Sequence, residues 1–188
     1  MFNDLFNRLA GLIFKPAETW NKLSQGEEEK ETFLSRYIYP LLGLIALAAF
    51  VGVLFSRKEF SFEIALKSAI KALISNMGGY FLAVYLMREL WRSVFHRHKN
   101  TKLWYCFVGY ASAMMFALNI ILLLLPEFFF LRVAVLYTAY LIWEGATAYM
   151  HVEENERLKF SAFASAIIIV TPLAIDSLLF LMMPGLRL

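Results

Sequence analysis

No charged residue interrupts the chain between Tyr37 and Ser56, nor between Leu103 and Pro126. A bilayer crossing needs about 20 apolar residues at a rise of ~1.5 Å each, so both stretches predict membrane-spanning helices. Three further apolar runs are long enough but carry charges: Ile64–Met87 bears Lys67 and Lys71, Phe128–Met150 bears Arg132 and Glu144, and Phe160–Met183 bears Asp176. Charged side chains near helix ends can extend toward headgroups. The pattern therefore predicts five spans, at about 37–56, 64–87, 103–126, 128–150 and 160–183. Ahead of them, Phe2, Leu5, Phe6, Leu9, Leu12 and Ile13 recur at helical spacing, with Asn3, Asp4, Asn7 and Arg8 opposite. This is an amphipathic helix, which either lies in the membrane interface or packs against the protein's own loops. The expected fold is an all-α membrane protein: residues 1–188 as one membrane domain, five transmembrane helices, and an N-terminal interfacial segment over 1–36.

Composition agrees. Sixty per cent of the residues are hydrophobic and 18% charged, against roughly half and a quarter in soluble domains. The 16% of aromatic residues suits a chain with two water–lipid boundaries to anchor. Cys106 is alone, which excludes a disulfide framework or a thiolate metal cage within one chain. The first residues, "MFNDLFNRLAGLIF", lack the uninterrupted apolar core of a secretory signal.

The net charge of +3 forms no basic stripe, so nucleic acid is not an expected partner; the basic residues report orientation instead. Residues 1–36, 88–102 and 151–159 hold twelve Lys and Arg, and the segments on the other side hold six. That excess places the N-terminus in the cytoplasm and the C-terminus outside.

Polar residues inside the spans are the candidate chemistry. Tyr137, Tyr140, Glu144, Thr147 and His151 are spaced three and four apart and share one helix face. Asn119 shares a face with Gly109, Ser112 and Phe116, and Asp176 with Ser161, Ser165 and Pro172. Lys71 lines up with Ser75 and Gly78 or Gly79. Small and hydroxyl residues at such positions mostly serve close helix packing. Counting from helix ends puts Asp176, Arg132 and Lys71 at similar depth, so Asp176 is expected to pair with Arg132 or Lys71. Glu144 has no basic partner at its own depth; Arg88 and Arg92 are the nearest. The intramembrane contact set is thus Lys71, Asn119, Arg132, Tyr137, Tyr140, Glu144 and Asp176. These groups sit at different depths with no continuous path evident between them, so a proton relay is the less expected reading. His96, His98 and His151, with Glu153 or Glu154, lack a specific zinc spacing. With no nucleophile–base pair, phosphate loop or paired carboxylates, neither an enzyme nor a cofactor is expected.

Several segments resemble the Yip family of multispanning membrane proteins. "IFKPAETWNKL" followed by "YIYPL" supplies Pro16, Trp20 and Tyr37–Leu41; "GYA" stands at Gly109–Ala111; and "YLIWEGATAYMHV" supplies Tyr140, Gly145, Met150 and Val152. The chain has Met114 and Met115 where the family often has a proline, and Glu144 where it has apolar or basic residues. The short N-terminus resembles the bacterial branch. This implies a multi-pass protein of the bacterial cytoplasmic membrane, without the prenylated Rab GTPase partners of the eukaryotic members. The expected function is a non-enzymatic membrane scaffold or interaction protein, with the bilayer and a protein partner or second copy as its contacts. The alternative is a small transporter or lipid-handling protein that uses the polar interior around Glu144 and Asp176.

Overall fold

Proline, hydroxyl and glycine positions punctuate a chain that is otherwise apolar enough to stay helical. The computed structural model describes residues 2–26, 28–56, 61–95 and 100–182, and every regular element among them is helical. Helix α1 (Phe2–Phe14) is followed by α2 (Pro16–Ser24), whose first residue is a proline with φ already set for a helix. Helix α3 (Lys30–Phe33) runs through a π-helical turn, Leu34–Ile38, into α4 (Tyr39–Ser56). Helix α5 (Phe62–Val94) has 33 residues. The side chain of Asn100 accepts from the Lys102 N–H at 3.1 Å and caps α6 (Thr101–Ala111).

Helix α6 meets α7 (Ala113–Leu124) at a 43° bend. The Ser112 hydroxyl donates to the Val108 carbonyl at 2.7 Å at this point, a back-bond that bends helices. A 3-10 segment, Pro126–Leu136, then leads into α8 (Tyr137–Ala148). Beyond α8 the Val152 N–H donates to the Ala146 carbonyl at 2.9 Å, with His151 left-handed at φ 49°. A left-handed residue thus closes this helix end without the usual glycine. Helix α9 (Glu154–Met182) contains Pro172.

Four helical stretches are long and apolar enough to cross a membrane: Lys30–Phe55, Phe62–Val94, Pro126–Ala148 and Glu154–Met182. Counted as one broken span, the bent α6–α7 pair brings the number to five. The helices overrun the expected spans at Lys30, Val94 and Glu154, because polar residues that leave the bilayer can still continue a helix.

The core concentrates at the end of the bundle where α5 finishes and α9 begins. Trp91 packs against Trp104 at 5.5 Å and Phe160 at 5.6 Å, and Phe107 joins Phe160 at 5.6 Å. The N-terminal helices lie against α6, α7 and α8. Of the two placements open to the amphipathic α1, the structure has the inward one: Leu5, Leu9 and Leu12 are buried in the protein. Phe6 and Phe14 face outward, 50% and 80% exposed.

Candidate functional site

Helices α5 and α9 are antiparallel neighbours, and their shared face is polar at one end and aromatic at the other. Lys71 Nζ lies 3.1 Å from Asp176 Oδ1 and 5.8 Å from the centre of the Phe180 ring. One turn along α5, the Ser75 hydroxyl donates to the Pro172 carbonyl at 3.1 Å. One turn further, Gly79 lets the helices touch: a Cβ there would sit 2.6 Å from Pro172 Cα. On α5, Lys71 and Trp91 are about 30 Å apart at helical rise, and on α9 Phe160 and Asp176 are about 24 Å apart. The aromatic contact and the ion pair therefore stand at opposite ends of the shared face.

The middle of the bundle holds two helix interruptions that face each other. A cavity with room for about one water molecule is lined by Asn76, Gly79, Tyr80, Ser112, Ile168 and Pro172, among others. Pro172 has no N–H, so the Ile168 carbonyl lacks its usual helical donor. Beside the cavity Asn76 donates to the Ala72 carbonyl at 2.8 Å and accepts from Asn119 Nδ2 at 2.6 Å. Tyr80 donates to the Tyr105 carbonyl at 2.9 Å. These buried amide and hydroxyl groups tie α5 to α6 and α7.

A third cluster fixes the N-terminal helices. Arg8 Nη1 donates to Glu28 Oε1 at 3.0 Å, to Glu28 Oε2 at 2.9 Å and to the Tyr110 hydroxyl at 2.8 Å. The Tyr110 hydroxyl donates to Glu28 Oε2 at 2.6 Å. Asp4 adds an ion pair to Arg8 Nε at 3.3 Å. Burial alone would lower the Arg8 pKa, but its interactions with Tyr110 and Glu28 outweigh this and hold it above the ordinary arginine range. Next to this cluster Trp20 is fully buried against Phe107, Tyr110 and Tyr149 at 5.5–6.0 Å. Gly145 makes the socket: a Cβ there would lie 2.7 Å from two atoms of the Trp20 ring. Lys102 reaches Glu29, and Lys30 lies over the Tyr105 ring at 4.5 Å. The segment before the first span is therefore held at Arg8, Trp20, Glu28, Glu29 and Lys30.

The Yip1 domain matches residues 10–175, which takes in Trp20, Tyr110 and Gly145 and ends one residue before Asp176. The chain belongs to the Yip1 domain family. Neither a curated protein nor a solved structure matches it.

Within this Yip1 domain the remaining expected contacts fall in separate places. Tyr137 donates to the Ile13 carbonyl at 2.8 Å and packs on Tyr140, ring centres 5.3 Å apart, so this pair meets α1. Glu144 is half-buried one helical turn before Ala148, and its carboxylate has no ion pair among the described residues. Arg88 pairs instead with its neighbour Glu89 at 3.2 Å. Arg132 is exposed on the 3-10 segment, and Asp176 meets Lys71 instead. His151 leaves the face shared by Tyr137 and Glu144, because α8 ends at Ala148 and the backbone reverses. His96 and His98 lie outside the described residues, and no metal-holding group of His, Cys, Asp and Glu occurs among the described ones. Sequence spacing missed Asn76, the Arg8–Glu28–Tyr110 cluster, and Arg157, whose guanidinium donates to the Trp143 carbonyl and covers the Trp143 ring at 4.1 Å.

Proposed function

We propose that this Yip1-domain protein is a non-enzymatic membrane scaffold that presents its N-terminal helices as a fixed interaction face. One observation carries the reading: Trp20 is locked into the Gly145 socket, while Phe6 and Phe14 of the neighbouring α1 face outward. A segment held this firmly displays an apolar face in one orientation, which suits recognition of a membrane interface or a partner more than a moving gate. Yip1-family proteins are generally non-enzymatic membrane trafficking proteins, which supports the same class. The family resemblance and the charge distribution support residues 1–188 as a single domain in a bacterial cytoplasmic membrane. The N-terminus is then cytoplasmic, the C-terminus lies outside, and no Rab GTPase is a partner.

Transport through the Glu144 and Asp176 region is the competing reading. Against it, the Asp176 and Glu144 contacts lie on separate elements, and the mid-bundle cavity admits about one water. Two measurements separate the two, one on reconstituted protein and one in native membranes. The scaffold reading predicts no proton or solute flux above protein-free liposomes. It also predicts loss of partner crosslinking in native membranes for Phe6→Ser with Phe14→Ser, at unchanged folding. A pH-dependent flux that disappears in Glu144→Gln would overturn it.

A further inference from the structure

The face of α5 that descends toward α9 carries Glu63, Lys67, Lys71 and Ser75 at four-residue intervals, one above another. Side-chain exposure falls along it, from 72% at Glu63 to 47% at Lys67 and 23% at Lys71, and Ser75 is buried. Asp176 on α9 closes the stripe opposite Lys71 and is 46% exposed. Apolar side chains that point away from the protein, among them Leu66, Ile70, Leu173 and Phe180, flank this wedge. It is thus a polar cleft mouth that opens toward the start of α5, set in a wall of outward-facing apolar side chains.

The two ion pairs leave capacity unused. Lys71 has three N–H donors and meets Asp176 through one carboxylate oxygen, so further donors and the second oxygen of Asp176 remain. Glu63 and Lys67 pair with each other in the same way. The four side chains carry two positive and two negative charges, so they exert no net pull on an ion of either sign. Their fit is to a group that carries both signs a few ångströms apart. A phosphate suits the lysines, and a primary ammonium suits Asp176 and Glu63.

We propose that this mouth binds the headgroup of a phosphoethanolamine lipid, with its phosphate on Lys71 and Lys67 and its ammonium on Asp176. The lipid's acyl chains lie against exposed apolar side chains on the inner side of the pair, Ile74 and Leu173. A quaternary choline cannot donate to the carboxylates, and an anionic glycerol headgroup lacks the positive partner. Both therefore bind more weakly.

The test uses the full chain in nanodiscs made of equal parts phosphatidylethanolamine, phosphatidylcholine and phosphatidylglycerol, with retained lipid identified by native mass spectrometry. The expected result is phosphatidylethanolamine retained over either competitor by roughly fivefold. Lys71→Gln with Asp176→Asn, which removes both charges at nearly constant shape, abolishes the preference. Lys67→Gln touches α5 alone, so its folding is secure, and it lowers the preference about twofold. Equal retention of the three lipids by the parent protein overturns the proposal, as does an unchanged preference in both variants. Preferential retention of phosphatidylglycerol would reduce the mouth to a simple cation. A lipid-independent dimer that shields Asp176 from a carboxyl-modifying reagent would give the place to a second copy, and also overturns it.

Discussion

Gly145 shows how one missing side chain organises this protein. The Trp20 ring occupies the space a β-carbon would need, at 2.7 Å, with Phe107 also close at 3.1 Å. Overfilling a packed site of this kind costs about 1–3 kcal/mol. Gly145→Ala is therefore expected to lower the thermal unfolding midpoint in detergent and shift tryptophan emission to the red as Trp20 is displaced. Tyr110 is the second decisive residue. Tyr110→Phe removes a donor to Glu28 and an acceptor for Arg8 in a partly buried cluster, at about 1–3 kcal/mol. The expected sign of this loss is faster proteolysis between α2 and α3. The raised Arg8 pKa favours folding at every pH below the arginine range, and that stabilisation is lost only in strongly alkaline solution. Arg8 is thus no pH switch. Residues differ in how far the sequence exposes such roles. Depth counting put Lys71, Arg132 and Asp176 at one level, and the structure has Lys71 3.1 Å from Asp176. Arg132 escapes the count because its 3-10 segment rises faster and turns its side chains differently from an α-helix. Arg8, Glu28 and Tyr110 meet across 82 and 102 residues of chain, a closure that no local spacing encodes.

At the scale of elements, runs of apolar residues define the spans well because lipid demands internally satisfied backbone. Interruptions are harder to read. The α6–α7 bend comes from one serine back-bond at Ser112, and serines are common in membrane helices without bending them. Amphipathicity likewise gives α1 its helix and its apolar stripe but does not choose between lipid and protein as the stripe's partner; α7 and α2 provide the second. The Asn76–Asn119 bond joins α5 to α7 beside the cavity. Interhelical polar contacts of this sort contribute about 0.6–1.7 kcal/mol in membranes. Asn119→Leu is expected to lower the unfolding free energy by that order in a steric-trap or denaturant measurement. Asn119→Leu with Asn76→Leu should cost less than the sum of the two single changes, since neither then leaves an orphaned amide.

For the whole molecule, the four long apolar stretches make an odd number of crossings once the bent α6–α7 pair is counted as one span. Residues before α4 and the end of α9 should then lie on opposite membrane faces, which tags at Asn3 and after Met182 would report by protease or reagent accessibility. The N-terminal helices are the part of the architecture on which the scaffold reading stands, because only a seated segment can present Phe6 and Phe14 in a fixed direction. The most direct test of that seat is crosslinking between Ile13→Cys and Tyr137→Cys, with Cys106→Ala, in native membranes. These positions are in contact through the Tyr137 hydroxyl and the Ile13 carbonyl. The account predicts efficient intramolecular crosslinking by a short bismaleimide, and its loss when Gly145→Val blocks the Trp20 socket. Failure to crosslink in the parent background, with both thiols freely labelled by a lipid-partitioning maleimide, would contradict it and return α1 to the membrane interface.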